Sequence, residues 1–305
     1  MPSPAASRSV VLDGGLASEL ETRGYDLTDR LWSARLLMTD PAAIEAVHLA
    51  YFRAGADVAT TASYQASVEG FGAAGIDEDA ARRLVVLSVE LAARARDRYR
   101  AEAGDDRSLL VAGSVGPYGA FLADGSEYRG DYDPGRSALA DYHRPRIEAL
   151  VEAGADLLAF ETIPTVREAE VLVDLLDEVA VKAWLSFSCR DGRSTSAGEP
   201  IADAIALGNH PWIVAVGVNC TAPRHLPALL AAAKDATDRP LIAYPNAGDR
   251  WDAATRRWVA DEGGRFDPVA VASWTTFGAT WLGGCCGTAP ADIAALSGVM
   301  AASTT

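Results

Sequence analysis

The stretch AGADLLAFETIPTVREAEVLVDLLDEVA, residues 153–180, contains the features that decide the fold. The short apolar run LLAFETIP from Leu157 has the length and composition of a buried strand. The segment VREAEVLVDLLDEVA from Val166 follows it, and its apolar residues return at helical spacing. A buried strand followed by an amphipathic helix is the repeating unit of parallel α/β folds. The stretch therefore predicts one β/α unit.

The same pattern recurs along the chain. Further strand-like segments are VVLDGG from Val10, DVATTASY from Asp57, LLVAGSVG from Leu109, AWLSFSC from Ala183, VAVGVNC from Val214, LIAYPNAG from Leu241 and TWLGGCCG from Thr280. The tetrapeptide AGAD occurs at 54–57 and again at 153–156, each time between a helix and a strand. Eight strands alternating with helices predict a closed (β/α)8 TIM barrel of the α/β class, with an open doubly wound sheet as the alternative. No linker divides the chain, so we expect one domain over residues 1–305.

Charge and composition exclude several kinds of partner. The chain has 27 basic and 42 acidic residues, a formal net charge of −15, which disfavours nucleic acid and anionic membrane surfaces. Neither a signal peptide nor a membrane-spanning segment is evident, and this predicts a cytoplasmic protein. Thiols stay reduced in that compartment, so the four cysteines are interpreted first as ligands, nucleophiles or core residues.

Functional residues of such barrels lie where strands end and βα-loops begin. The side chains predicted there are Asp13, Thr61, Tyr64, Ser114, Glu161, Thr162, Cys189, Asn219, Cys220, Asn246, Cys285 and Cys286. Histidine and lysine are missing from this set, which argues against a histidine base and a Schiff-base lysine. GFGAAG at 70–75 matches a dinucleotide fingerprint, but the polar segment QASVE separates it from the preceding strand, so we do not expect NAD(P) binding.

The cysteines are the most informative residues of this set. Cys220 ends the sixth predicted strand, and Cys285 and Cys286 end the eighth, so closure of the barrel brings all three to one side of its mouth. Three thiolates suit Zn²⁺, and three protein ligands leave a fourth position open, as in catalytic zinc sites. The neighbouring Gly283, Gly284 and Gly287 would let both adjacent sulfurs face one ion. A structural zinc or a redox role for the cysteines is the non-catalytic alternative, and Cys189 is interpreted as a core residue.

The motifs DGG, TTASYQAS, GSVGPYG, FETIP, GVNC, YPNAG and GGCCGT run in order from Asp13 to Thr288. In this order they resemble the homocysteine S-methyltransferases over nearly the whole chain. The resemblance implies a zinc ion held by Cys220, Cys285 and Cys286, with the sulfur of homocysteine as fourth ligand. It also implies that Asp13 and Glu161 hold the ammonium group of homocysteine. Selenocysteine, selenohomocysteine or another small thiol is the alternative acceptor.

The methyl donor follows from the same resemblance. The chain ends soon after the eighth strand, which leaves no room for folate or cobalamin domains and points to a sulfonium donor, S-methylmethionine or S-adenosylmethionine. Aromatic faces attract such cations, and Trp32 and Tyr64 are the candidates. Thr61, Asn219 and Asn246 complete the expected substrate contacts, and Asn246 or water could fill the fourth zinc position without substrate. Small molecules are thus the expected partners, with no nucleic acid and no membrane.

Overall fold

The computed structural model describes residues 9–28, 30–104, 107–248, 250–252, 257–259 and 266–302. Eight strands form one parallel sheet: β1 (Val10–Val11), β2 (Val58–Thr60), β3 (Leu110–Val115), β4 (Leu157–Ile163), β5 (Ala183–Phe187), β6 (Ile213–Asn219), β7 (Leu241–Tyr244) and β10 (Ala279–Leu282). Neighbours follow the order β1-β10-β7-β6-β5-β4-β3-β2. A parallel bridge between Leu12 and Val58 joins β1 to β2 and closes the barrel.

The helices surround this barrel. They are α1 (Leu16–Thr22), α2 (Leu36–Thr39), α3 (Pro41–Arg53), α4 (Val68–Ala73), α5 (Glu78–Ala103), α6 (Tyr118–Leu122), α7 (Arg136–Glu152), α8 (Val166–Val179), α9 (Ile201–Ala206), α10 (Leu226–Lys234), α11 (Pro268–Ser273) and α12 (Pro290–Ala302). Short 3₁₀ turns include Trp32–Arg35 and Ser126–Tyr128. In the described part of the chain, no helix is both long and apolar enough to span a membrane.

The unit that the sequence analysis started from shows why its residues adopt this structure. Gly154 follows α7 with a φ of +84°, a left-handed conformation that glycine adopts readily. Every residue of β4 is buried, as a strand covered on both faces requires. Thr165 then caps α8 by accepting a hydrogen bond from the Glu168 N–H at 3.2 Å. The alternation of buried strand and capped helix positions the end of β4 at the barrel mouth.

The barrel prediction is confirmed, and the open-sheet alternative is wrong because β1 and β2 are joined. Each predicted strand coincides with an observed one. The hairpin of β8 (Arg250–Asp252) and β9 (Arg257–Val259) was not predicted. GFGAAG lies largely within α4, whose N-cap is Ser67, so its glycines do not form a strand-to-helix turn.

Two packed layers hold the barrel together. Inside it, Trp184 packs with Tyr244 and Trp281, and small residues such as Ala112 and Ala159 make room for these rings. Outside it, the apolar faces of the helices cover the outward-facing strand residues. These side chains fill the barrel below its mouth, which leaves the mouth, at the carboxyl ends of the strands, as the place where a barrel of this class binds its ligands.

Candidate active site and metal centre

Three cysteines meet at the mouth of the barrel. Cys220 directly follows β6, and Cys285 and Cys286 follow β10, with β7 between these strands. Their sulfur atoms all lie within 4.8 Å of one another, and the Cys220 and Cys286 sulfurs are 3.6 Å apart. No fourth histidine, cysteine or carboxylate joins this group among the residues that the structure describes. The triad can therefore hold a metal ion and leave one position for another ligand.

The backbone is adapted to bring these sulfurs together. Cys220 has a φ of +45°, in the left-handed region that β-carbon-bearing residues rarely adopt. Gly287 has a φ of +81°, as expected for a glycine that turns the chain. Gly284 is needed for a different reason, since a β-carbon there would lie 2.3 Å from the Thr288 hydroxyl oxygen. Strain and close packing at one place are typical of a functional site.

The thiols influence one another strongly. Hydrogen bonds from the Cys285 and Cys286 thiols lower the pKa of Cys220 well below its usual range. The same interaction with Cys220 raises the pKa values of Cys285 and Cys286. The Tyr128 hydroxyl lies 3.5 Å from the Cys220 sulfur and can donate a hydrogen bond to it. A shared negative charge among three sulfurs is the electrostatic environment that a divalent cation requires.

Two buried carboxylates lie near the triad. Asp13 accepts hydrogen bonds from the Thr60 N–H at 2.7 Å and the Thr60 hydroxyl at 2.9 Å. Glu161 accepts hydrogen bonds from the Ser114 hydroxyl and, at 3.3 Å, from Tyr244. Burial raises the pKa of Asp13 to about 8 and that of Glu161 to about 7. The partners found among the described residues are all neutral, so within that part of the chain neither carboxylate is paired with a cation.

The pocket above these groups encloses about 670 Å³, counting the space at its open mouth. Its lining includes all three cysteines, both carboxylates, Trp32, Thr61, Tyr64 and Tyr128. The rings of Trp32 and Tyr64 meet edge to face with their centroids 6.0 Å apart. Trp32 has a φ of +50°, so a second strained residue lies in the pocket wall.

Two of the predicted site residues lie outside the pocket lining. Asn219 is fully buried and binds Thr162, accepting from its N–H at 2.7 Å and donating to its hydroxyl at 2.8 Å. It ties the end of β6 to the end of β4, which is a positioning role. The Asn246 side chain accepts a hydrogen bond from the Gly248 N–H at 2.9 Å and thus stabilises the turn in which it lies. Neither side chain is among those that line this pocket, and Asn219 Nδ2 also lies 4.0 Å from the Cys285 sulfur, to which it can donate.

Sequence reasoning missed two tyrosines. Tyr244 lies inside the barrel, where its hydroxyl bonds with Trp184 Nε1 at 2.9 Å and Ser186 Oγ at 2.6 Å and reaches Glu161. Tyr128 belongs to the long segment between α6 and α7. The length and glycine content of this segment, ADGSEYRGDYDPG, were a usable signal, because long loops of barrels are often functional.

The histidines and lysines of the chain were not predicted to lie at the barrel mouth, and their observed positions can be compared with that prediction. Among the described residues that line the pocket there is neither a histidine nor a lysine. His48 is buried in α3, and burial lowers its pKa to about 4. His143 is buried between Glu168 and Arg146, at 2.7 and 2.9 Å. Fold and site thus define a (β/α)8 barrel with an open three-cysteine centre next to buried acidic groups.

Comparisons with known proteins identify the family. A family model described as homocysteine S-methyltransferase matches residues 10–300. The homocysteine S-methyltransferase of Escherichia coli (strain K12) is 50% identical over 291 residues, covering 94% of each chain. The chain belongs to the homocysteine S-methyltransferase family and is a methyltransferase.

Two further similarities bear on the site. The crystal structure of the homocysteine methyltransferase from Escherichia coli in its metallated form superposes with a TM-score of 0.88. That chain is 47% identical, with 96% of this chain and 97% of that chain covered. A selenocysteine Se-methyltransferase of Brassica oleracea var. italica is 45% identical, covering 94% of this chain and 87% of the relative.

Proposed function

We propose that the protein transfers a methyl group from a sulfonium donor, S-methylmethionine or S-adenosylmethionine, to the sulfur of L-homocysteine bound at a zinc centre. The triad of Cys220, Cys285 and Cys286 is the observation that carries this proposal. In a tetrahedral centre with Zn–S bonds of about 2.3 Å, sulfur ligands lie about 3.8 Å apart. The 3.6 Å between the Cys220 and Cys286 sulfurs is close to this spacing, and all three sulfurs lie within 4.8 Å of one another.

The donor set also fits the chemistry. Cys220, Cys285 and Cys286 would hold zinc as a weak Lewis acid, and the chemistry it would supply is a lowered pKa for an incoming thiol, so that its sulfur would be nucleophilic at neutral pH. Hydrogen bonding from Tyr128 to Cys220 would spread the negative charge of the triad.

Asp13 and Glu161 supply the site for the ammonium group of homocysteine. Asp13 lies shortly after β1 and Glu161 lies near the end of β4. Both line the pocket, and both lack a cationic partner among the described residues. Thr60 orients Asp13, while Ser114 and Tyr244 orient Glu161, so an ammonium group would meet two preorganised carboxylates.

The reaction itself needs no general base at carbon. The homocysteine sulfur attacks the methyl carbon, a new C–S bond forms, and the donor C–S bond breaks to release a neutral thioether. The proton of the acceptor thiol goes to solvent before the attack, which balances the reaction. Trp32 and Tyr64 would contact the sulfonium through their rings and keep the two sulfurs in line.

A direct test follows the metal and the methyl group together. We expect zinc-edge absorption spectroscopy on the metal-loaded enzyme to show three sulfur ligands without substrate and four with homocysteine. The same preparation should form methionine from homocysteine and S-methylmethionine. Four protein ligands with no change on adding homocysteine would instead indicate a structural metal.

A selenol acceptor is the second candidate, and the 45% identity to a selenocysteine Se-methyltransferase favours it. Side-by-side assays with homocysteine and selenocysteine decide between them. A kcat/KM at least tenfold higher for selenocysteine would overturn the assignment of homocysteine as the acceptor, whereas the metal centre and the donor would keep their roles.

A further inference from the structure

A chain of buried polar side chains connects α7 with α8. Arg146 Nη2 donates to His143 Nδ1 at 2.9 Å, and His143 Nε2 lies 2.7 Å from Glu168 Oε1. All three side chains are at most 1% exposed, and none of them lines the pocket. A guanidinium can only donate, so the ring proton of His143 lies on Nε2 and is donated to Glu168. Burial lowers the pKa of His143, in agreement with a neutral ring that bridges an arginine and a carboxylate.

Arg146 also binds the backbone of the pocket wall. Its Nη1 donates to the Tyr64 carbonyl at 2.9 Å, and its Nη2 donates to the Gly116 carbonyl at 2.7 Å. Tyr64 packs directly on Gly116, since a β-carbon on this glycine would lie 2.7 Å from the Tyr64 ring. The same ring lines the pocket next to Trp32. Arg146 therefore holds both the residue that carries the ring and the glycine on which the ring packs.

Glu168 extends these connections to a third segment. Its carboxylate accepts hydrogen bonds from the Tyr118 N–H at 2.6 Å and from the Tyr132 hydroxyl. Tyr118 begins α6, and Tyr132 belongs to the long segment that carries Tyr128 to the Cys220 sulfur. The chain of hydrogen bonds thus joins the segment after β2, the segment after β3 and the segment between α6 and α7.

Fold stability alone does not explain this arrangement. Apolar side chains of similar volume often stabilise a fold as well as a buried ion pair does. An arginine adds what apolar packing cannot, because its planar guanidinium fixes the directions of several hydrogen bonds at once. Here those hydrogen bonds hold the carbonyls of Tyr64 and Gly116 and so fix part of the pocket wall.

We propose that Arg146, held by His143 and Glu168, is a positioning residue that fixes the Tyr64 ring for contact with the sulfonium group of the methyl donor. The inference rests on the proposed function, in which the rings of Tyr64 and Trp32 contact that group. A cation is attracted when it lies over a ring within about 6 Å of its centre, so a displaced ring would bind the donor more weakly. Other side chains would hold homocysteine, so its binding should not depend on this network.

The test interrupts the chain of hydrogen bonds in the zinc-loaded enzyme. It uses whichever donor the wild type prefers, S-methylmethionine or S-adenosylmethionine. His143→Leu leaves Arg146 and Glu168 without their bridge, and we expect the KM for the donor to rise about 10-fold while the KM for homocysteine stays within about 2-fold. His143→Gln restores one donor and one acceptor, and it should keep the donor KM within about 3-fold of the wild type.

A second variant and a matched control accompany this comparison. Arg146→Lys keeps the positive charge but not the planar guanidinium, so the donor KM should again rise about 10-fold even if the leucine variant does not fold. His48→Leu is the control, because His48 is equally buried in a helix and neither of its ring nitrogens has a partner among the described residues. Both KM values should stay unchanged in this control.

Two further measurements separate positioning from stability. Calorimetric titration of the donor without homocysteine should show the same loss as a higher Kd, and urea unfolding measures the stability of each variant. Equal rises in both KM values, an unchanged donor KM in His143→Leu and Arg146→Lys, or a glutamine variant as impaired as the leucine variant would overturn the inference alone. A wild type that transfers methyl groups from neither sulfonium would overturn the proposed function itself.

Discussion

Asp57 and Asp156 stand at the amino-terminal end of the barrel, at matching places in the two AGAD repeats, whereas Asp13 and Glu161 stand at its mouth. The Asp57 carboxylate accepts a hydrogen bond from the Val11 N–H at 2.9 Å, while the Asp57 N–H donates to the Val11 carbonyl at 2.7 Å. Asp156 repeats this arrangement with Val111. The AGAD repeat thus marks a structural device that joins one strand to its neighbour.

These amino-terminal carboxylates also have positive partners. Arg107 pairs with Asp57 at 3.2 Å, and Arg96 pairs with Asp156 at 3.1 Å. At the mouth, by contrast, hydroxyl and N–H groups hold Asp13 and Glu161, and burial raises their pKa values to about 8 and about 7. The two ends carry the same type of side chain but differ in its partners. A carboxylate paired with an arginine stabilises the fold, whereas a buried carboxylate with only neutral partners is a candidate for binding a ligand.

The largest effect should come from the mouth, where Cys220 supplies one of the three sulfurs of the proposed metal centre. Replacing Cys220 by serine is expected to lower zinc content below one ion per chain and to reduce methyl transfer at least about 1000-fold, because two thiolates cannot hold the ion in place. Metal analysis and a methionine-formation assay measure both effects. Cys189→Ser is the matched control, since that cysteine lies outside the triad. Methyl transfer by a metal-free Cys220→Ser protein would contradict the mechanism.

The sequence was sufficient to predict the eight strands and the cysteine triad. Strand identity followed from short buried runs, and once the barrel order was known, Cys220, Cys285 and Cys286 had to meet at one side of the mouth. Asp13 and Glu161 were predicted for the same reason. A strand-end position in a parallel barrel is a local property, so a sequence pattern can reveal it.

Other parts of the site depend on contacts that no local pattern encodes. Asn246 ends a strand like the other predicted residues, but its side chain turns back to the Gly248 N–H. Tyr244 lies in the barrel interior and reaches Glu161, and Tyr128 reaches the Cys220 sulfur from a 3₁₀ turn outside the strands. The direction of a side chain and the path of a long loop are set by tertiary packing.

The next largest effect is expected at Glu161, where a substitution should weaken the binding of homocysteine. Glu161→Gln is expected to raise the KM for homocysteine about 100-fold, because a neutral amide cannot balance an ammonium group. Steady-state kinetics with varied homocysteine measure this change. A kcat that falls while KM stays constant would indicate a role other than ammonium binding.

The same variant tests the pKa of Glu161. The folded protein holds its proton up to about pH 7, whereas the unfolded chain releases it near 4.5, so this group destabilises the fold increasingly as pH rises through that range. Between pH 6 and pH 8 the substrate-free wild type should lose about 1 kcal/mol more unfolding free energy than Glu161→Gln. Denaturant unfolding at both pH values measures the difference, and parallel curves would contradict the raised pKa.

The smallest effects are expected at the amino-terminal end, where Asp57→Asn and Asp156→Asn should lower stability and leave kcat and KM unchanged. Asp57 uses both oxygens, one for Val11 and one for Arg107, so an amide would turn its NH₂ group toward the guanidinium and cost about 2 kcal/mol. Asp156 uses a single oxygen for Val111 and Arg96, which an asparagine can reproduce, and its side chain is 34% exposed. Its substitution should therefore cost about 1 kcal/mol or less. Urea unfolding measures the stability of both variants. A loss of activity in either variant without a loss of stability would show that these amino-terminal carboxylates also influence the active site.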